Sequence, residues 1–207
     1  MTALAIYRAL VDRGAAPALT LYGPSAGAPR LDLSGRVVAN HAAKAANLLA
    51  DDLMIDPGST IRLDLPAHWR LITWALGGLL AGAQLSTTEG DTVVTTNPDA
   101  DGDDVIVVSL GALDMSYPGD LPAGVIDGNA EALGQADILL DESSAAPVSP
   151  RPLRSQGRAL IVDPSPEEFI DAFLAAIGAG LTLVVADSAH AEKAAAAEGA
   201  APIAYAD

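Results

Sequence analysis

The 207 residues read as an α/β fold, a layered sandwich whose sheet is mainly parallel. Three observations predict it. Segments rich in β-branched residues alternate with segments of helical apolar spacing, the order expected where helices cover a sheet. Val105-Ile-Val-Val108 is an uninterrupted apolar run, as a strand buried on both faces requires. With 50% hydrophobic and 18% charged residues the composition is globular, and a chain of this length buries roughly 70% of the surface its unfolded form exposes.

Taken in order, residues 4–13 place Leu4, Tyr7, Ala9 and Leu10 near helical spacing and stop at Gly14. Residues 18–22 and 30–33 are β-leaning runs joined by a Gly- and Pro-containing connection, which predicts a hairpin. Ser34 is placed to cap a long helix. Its apolar positions Val38, Ala42, Ala45, Leu49 and Leu53 form one face, with Asn40, Lys44, Asn47 and Asp51 on others. Pro57-Gly58 turns the chain into a strand over 60–65, and a helix over 68–81 is apolar on most sides, so it should lie between layers. Strands follow through Leu85, over 91–96 and over 105–108. Further strands are expected at 136–140, 159–162, 181–186 and 202–205, with helices at 166–177 and 189–198. Residues 1–140 form the main α/β domain in this reading, 141–157 a linker or crossover loop, and 158–207 a continuation of the same fold.

The charge is lopsided. Twenty Asp and seven Glu against nine Arg and two Lys give a formal net charge of -16, and no Lys or Arg falls between Leu71 and Pro150 while 13 acids do. Such a surface repels nucleic acid and anionic membrane. No apolar run approaches the ~18–20 residues of a membrane span, and the N-terminus has no signal-peptide pattern, so a cytoplasmic location is expected. The absence of cysteine removes thiol nucleophiles and thiolate metal sites.

Short motifs offer little chemistry. Gly23-Pro-Ser25-Ala-Gly27 fits the pattern of a nucleophile elbow, but the elbow needs a helix after the serine, and Pro29 with the β-like run 30–33 denies it. Asp99, Asp101 and Asp103 match the first ligand positions of a calcium loop. Asp104 then stands where glycine belongs and Leu110 where the bidentate Glu belongs, leaving a solvated acidic turn. His41, His68 and His190 are isolated from one another and read as surface or cap residues. Gly77-Gly78 reads as close helix packing, and Gly178 and Gly180 as a helix end. No catalytic, cofactor-binding or metal-binding residue is assigned.

Residues 33–49, from Leu33-Ser-Gly-Arg to Asn47-Leu-Leu49, then Ile55-Asp-Pro-Gly through Leu65-Pro66, then Trp69 through Gly82-Ala83, resemble the opening of adenylate-forming enzymes. That superfamily includes acyl-CoA synthetases, adenylation domains and luciferase. The likeness covers about residues 17–86, extends more weakly over 157–174 and 180–185, and is similar to short actinobacterial relatives of these ligases. It implies the N-terminal subdomain fold of that superfamily. The departure is equally plain. The superfamily's Ser/Thr/Gly-rich phosphate loop, ending in a Pro-Lys-Gly step, should fall between about 140 and 157. Asp141, Glu142 and a glycine-free, lysine-free stretch stand there instead. No counterpart is expected for the ribose-binding aspartate or for the domain carrying the catalytic lysine.

The resemblance therefore implies a non-catalytic domain with no cofactor and no specific ATP site, Arg151, Arg154 and Arg158 being the only cations near enough to replace the loop. A small-molecule or protein-binding role follows, the ligand being unassigned. The alternative is an acyl-binding component whose nucleotide-binding half lies on another chain. Surface that the whole enzymes keep internal should favour a homodimer or a protein partner.

Overall fold

The computed structural model describes residues 1–26, 29–111 and 114–206. Helix α1 (Ala3–Arg13) starts at Thr2, whose hydroxyl accepts from the Ala5 amide, and ends at Gly14. Strands β1 (Pro17–Tyr22) and β2 (Arg30–Ser34) form the expected antiparallel hairpin. Ser34 caps α2 (Gly35–Asn47), accepting from the Val37 amide at 3.3 Å, and the helix finishes in a π-helical turn, Leu48–Asp52. Then come β3 (Thr60–Asp64), α3 (Trp69–Leu80), β4 (Gln84–Ser86), β5 (Thr92–Thr95) and β6 (Asp104–Val107). Two further short elements are β7 (Ile126–Asp127) and α4 (Gly128–Gly134). The remainder is β8 (Arg158–Val162), α5 (Pro166–Gly178), β9 (Thr182–Ala186), α6 (Ala191–Glu198) and β10 (Ala201–Pro202).

Two five-stranded sheets result. One runs β10-β8-β9-β1-β2, parallel except for the β1–β2 pair, so it joins strands from near the two ends of the chain. The other, β4-β3-β5-β6-β7, is parallel throughout. Helices α1, α2 and α5 lie against the first sheet, and α3 separates them from the second, touching β3 and β4 on one side and α1, α2 and α5 on the other. Every residue of α3 is buried, which is why its sequence is apolar on nearly all sides. A smaller cluster beneath α6, with Tyr22, Leu160 and Val184, closes the far face of the first sheet.

Three expectations are corrected. Residues 136–140 form no strand: their backbone groups are satisfied by side chains, Asn47 Nδ2 donating to the carbonyls of Ala136 (3.2 Å) and Ile138 (2.9 Å), with Asn47 Oδ1 accepting from Leu140. That task also explains why Asn47, assigned to a polar face, is 2% exposed. The final strand is shifted to Ala201–Pro202, and Tyr205 makes only an isolated bridge to Leu153.

Glu198 at the end of α6 ties the first sheet together. Its side chain is 5% exposed and accepts from Tyr22 Oη (2.6 Å), Arg30 Nε (2.8 Å) and the Arg158 guanidinium. These bonds, that from Arg30 foremost, hold its carboxyl below the usual 4.5 against the opposing effect of burial. The stabilisation is thus complete above the unfolded pKa and disappears as pH falls through the folded one. Glu198→Gln is expected to melt at a lower temperature than the parent at pH 7, with the gap narrowing as the pH is taken from about 5 to 3. A gap that is constant across this range in thermal melts contradicts the assignment.

Candidate functional site

A cavity of about 330 Å³ lies where β2, α2, α3 and α4 converge, at the lower end of the volumes that hold small molecules. Its walls are apolar on the side of Leu31, Leu33 and Ala45, and Met115, Val37 and Leu133 stand at its edge 71%, 39% and 38% exposed. The polar end is built by the first turn of α3. Because Pro66 ends the preceding strand segment and His68 takes extended backbone, α3 begins at Trp69 and sends Trp69, Arg70, Thr73 and Trp74 to the cavity. Gly128 opens α4 at a point where a Cβ would fall 2.6 Å from Ile106 and 3.0 Å from Trp74, so the indole can seat against its backbone.

Arg70 is the centre of this end. It is 9% exposed, and its guanidinium stacks on the Trp69 ring at 4.6 Å while Nη2 donates to the Asp114 carbonyl at 2.8 Å. Burial lowers its pKa, and Asp114 and Asp127 oppose that. Among the described residues no carboxylate pairs with it, because both aspartates are engaged elsewhere. Asp114 accepts from the Ser109 hydroxyl, and Asp127 caps α4, accepting from Asn129 (3.0 Å), Ala130 (3.1 Å) and Tyr117 (2.8 Å) amides. Asn129, 2% exposed, is likewise occupied: its Oδ1 takes the Ser109 amide and its Nδ2 donates to the Asp114 carbonyl.

Three consecutive residues leave buried polar atoms unpartnered: His68 Nε2, Trp69 Nε1 and Arg70 Nε. His68 Nδ1 accepts from the Arg70 amide at 3.3 Å, which assigns the proton of the neutral ring to Nε2, so all three orphans are donors. An orphaned buried donor costs about 1–3 kcal/mol. Burial, with Arg70 beside it, lowers the His68 pKa to about 4. The unfolded chain protonates this ring near 6.5, so acidification between 6.5 and about 4 favours unfolding. His41, edge-on to Trp69 at 5.1 Å, completes the polar end; burial foremost, then Arg70 and Lys44, lower its pKa and keep it neutral at pH 7.

A second cavity of about 320 Å³ lies between β4 and α5, lined by Leu63, Leu79 and Leu174 with Glu167 and Asp171. Its acids are exposed, and Glu167 already accepts from the Thr87 hydroxyl, so it presents no unpartnered buried group.

The sequence motifs lie elsewhere. Gly23–Ala26 is a 3-10 turn joining the antiparallel β1 and β2, and Gly27 lies outside the described residues. His190 Nδ1 pairs with Asp187 Oδ1 at 2.6 Å near Gly23. The acidic turn 99–104 is held by the Asp91 carbonyl, which accepts from the Asp103 amide at 2.8 Å, and no group of three or more potential ligands gathers among the described residues. His68 caps a helix as expected, yet it is 3% exposed and not a surface residue. His41 is half-buried in the middle of α2 and caps nothing. Sequence reading missed Trp69, Arg70 and Asn129 as a group; the available signal was one arginine in the most apolar helix of the chain, where an unpaired charge is costly.

Residues 141–157 form a strap across the ends of the chain. Its Ala146 carbonyl accepts from the Ala3 amide, Val148 donates to the Met1 carbonyl and Arg154 donates to the Ala204 carbonyl. The Asp141 carboxylate accepts from the Ser143 hydroxyl and amide and the Ser144 hydroxyl, which hold its pKa below the usual range, the Ser143 hydroxyl first. Glu142 pairs with Arg8. Arg158 is taken by Glu198, and Arg151 lies over the Tyr205 ring at 3.7 Å.

The arrangement of two sheets around α3 is that of adenylate-forming enzyme domains. An acyl-CoA synthetase from Brucella canis superposes with a TM-score of 0.66 at 15% identity over 90% of this chain. Coronafacic acid ligase from Pectobacterium brasiliense gives 0.67 at 12% over 93%, and acetoacetyl-CoA synthetase from Streptomyces lividans gives 0.63 at 12% over 90%. The chain spans 43%, 47% and 38% of those proteins, and at such identities the likeness establishes the fold alone. The chain belongs to the TIGR03089 family: it is 30% identical over 200 residues to a TIGR03089 family protein of Mycobacterium tuberculosis, an alignment covering 81% of this chain and 82% of the relative. No protein-family model matches it. No helix among the described residues is long and apolar enough to cross a membrane.

Proposed function

We propose that this chain is a ligand-binding domain on the adenylate-forming scaffold that does not itself activate acids with ATP, and that its ligand occupies the cavity headed by Arg70. The strap over residues 141–157 carries the first half of this reading. Triphosphate recognition needs backbone N–H groups and cations converging on one point. The strap has no glycine from Gln135 to Gln156, starts with two carboxylates, and spends its amides on the Met1 and Ala204 carbonyls. Arg151 and Arg158 are committed to Tyr205 and Glu198, so neither converges on a phosphate.

Pyrophosphate exchange over a panel of carboxylic acids is expected to stay at background, and turnover well above it overturns the proposal. Mg-ATP should raise the melting temperature no more than sulfate of equal ionic strength. Specific binding at ~100 times its dissociation constant would instead add ~2.7 kcal/mol, a rise of roughly 5–10 °C for a chain of this size. A second reading, an acyl-binding component completed by another chain, is favoured by the exposed Met115, Ile138 and Leu140. Co-purification of a ligase subunit would select it.

A further inference from the structure

We infer that the cavity between β4 and α5 is a site for an organic ammonium ion, whose apolar body fills the cavity and whose cationic head lies at the rim beside Glu167 and Asp171. This site is separate from the cavity headed by Arg70, and neither tryptophan lines it. Its volume of about 320 Å³ reaches the lower end of the range for small molecules. The floor is aliphatic. Leu79, Val148, Ile170 and Leu174 are buried, yet each keeps 7–9% of its surface open, so none of these walls is sealed off from a ligand.

The rim is acidic. Glu167 and Asp171 stand four positions apart on α5 and so share one of its faces. The Thr87 hydroxyl donates to Glu167 and, foremost among several hydrogen bonds, holds its carboxyl below the usual 4.5, so Glu167 is a carboxylate at pH 7. Asp171 makes no hydrogen bond or ion pair with any described residue. Arg151, which acts with Asp171 on the Tyr205 phenol, is stacked on that ring at 3.7 Å and does not pair with the carboxylate. Among the described residues lining the cavity none is Lys, Arg or His. The N-terminus of α5 brings about half a positive charge, which two carboxylates outweigh. Such a rim asks for N–H donors and positive charge, and an ammonium group supplies both.

The arrangement also selects among cations. A hard metal ion needs a shell of oxygen ligands, which an aliphatic floor does not offer, and no group of three or more potential ligands gathers among the described residues. A lysine side chain of a partner would enter ammonium first and carry its charge onto that floor. Because the carboxylates are exposed at the rim and the leucines lie beneath, the fit is to a free amine that enters body first. The net charge of -16 concentrates such cations around the protein.

Isothermal titration of the full chain with 2-phenylethylamine, 2-phenylethanol and 3-phenylpropionate varies the head on one apolar body, and ethylamine supplies the head alone. The amine is expected to saturate, the alcohol to bind about five-fold or more weakly, and the other two not to saturate. Glu167→Gln combined with Asp171→Asn changes two exposed side chains, so the fold should survive, as a melting curve will verify. This double variant should bind the amine about five-fold or more weakly, the order expected of two exposed ion pairs, and the alcohol as before.

No saturable heat with 2-phenylethylamine overturns the inference, as does an amine affinity unchanged in the double variant. Ethylamine matching 2-phenylethylamine would reveal attraction to surface charge alone, and 2-phenylethanol matching it a pocket indifferent to charge; either result overturns the inference. Both tryptophans line the other cavity, so a saturable change in their fluorescence that persists in the double variant would place the amine there and overturn it equally.

Discussion

Truncation of Phe169 to alanine is expected to lower stability by about 3–5 kcal/mol, a fall of roughly 6–20 °C in melting temperature for a chain of this length. Phe169 is fully buried on α5, directly after the capping box in which Ser165 and Glu168 exchange hydrogen bonds. The chain has two phenylalanines, and the other, Phe173, is 1% exposed one turn further along the same helix. The core cluster to which it belongs is rich in alanine, Ala3, Ala172 and Ala176 among them. Small side chains cannot swing into a vacated aromatic site, so the cavity term should be near its full size. Phe169→Leu, which keeps most of the volume, should lose about 1.5 kcal/mol or less. Urea unfolding decides it, and a loss below 1 kcal/mol for the alanine variant would show that the site collapses.

Gly77→Val should be similarly severe, at about 3 kcal/mol or more. A Cβ at Gly77 would lie 2.6 Å from the Ala45 Cβ and 3.1 Å from both the Ala42 carbonyl oxygen and the Ala46 amide, so the obstruction is largely the backbone of α2. Both helices would have to part along their contact. At Gly78 the atoms met are the tips of Ile61, at 3.0 Å, and Leu85, at 3.1 Å, which can rotate aside. Alanine in a helix is favoured over glycine by about 1 kcal/mol. Gly78→Ala is thus expected within about 1 kcal/mol of the parent and Gly77→Ala clearly below it. Equal stabilities for the two alanine variants, measured by denaturant unfolding, would contradict the close approach.

Elements that satisfy their own backbone are the ones the sequence displays. Ser34 and Ser165 mark helix starts because the cap is local, and the run at 105–108 marks a strand because both its faces are covered. Residues 136–140 misled for the opposite reason. Their partners, Asn47 and Tyr7, lie about 90 and 130 positions away, so an apolar run that looks extended has no strand beside it. Helix α4 was passed over because it is seven residues long and contains two glycines, its start resting on Asp127, which the sequence offers as one acid among many. The site was the least legible part. Trp69 and Arg70 come from the head of one helix, His41 from another and Asn129 from a third, and no spacing along the chain announces that they meet.

The placement of β1 and β2 beside β9 imposes an order on synthesis. The hairpin is complete when Ser34 has been made, but its neighbour begins at Thr182, so roughly 150 residues must be added first. At about 5–20 residues per second a ribosome takes about 7–30 s to supply them. The wholly parallel sheet, spanning 60–127, is finished well inside that interval. The inner edge of the hairpin therefore stays unpaired for seconds, exposed to pairing with other strands until its own last strands are made.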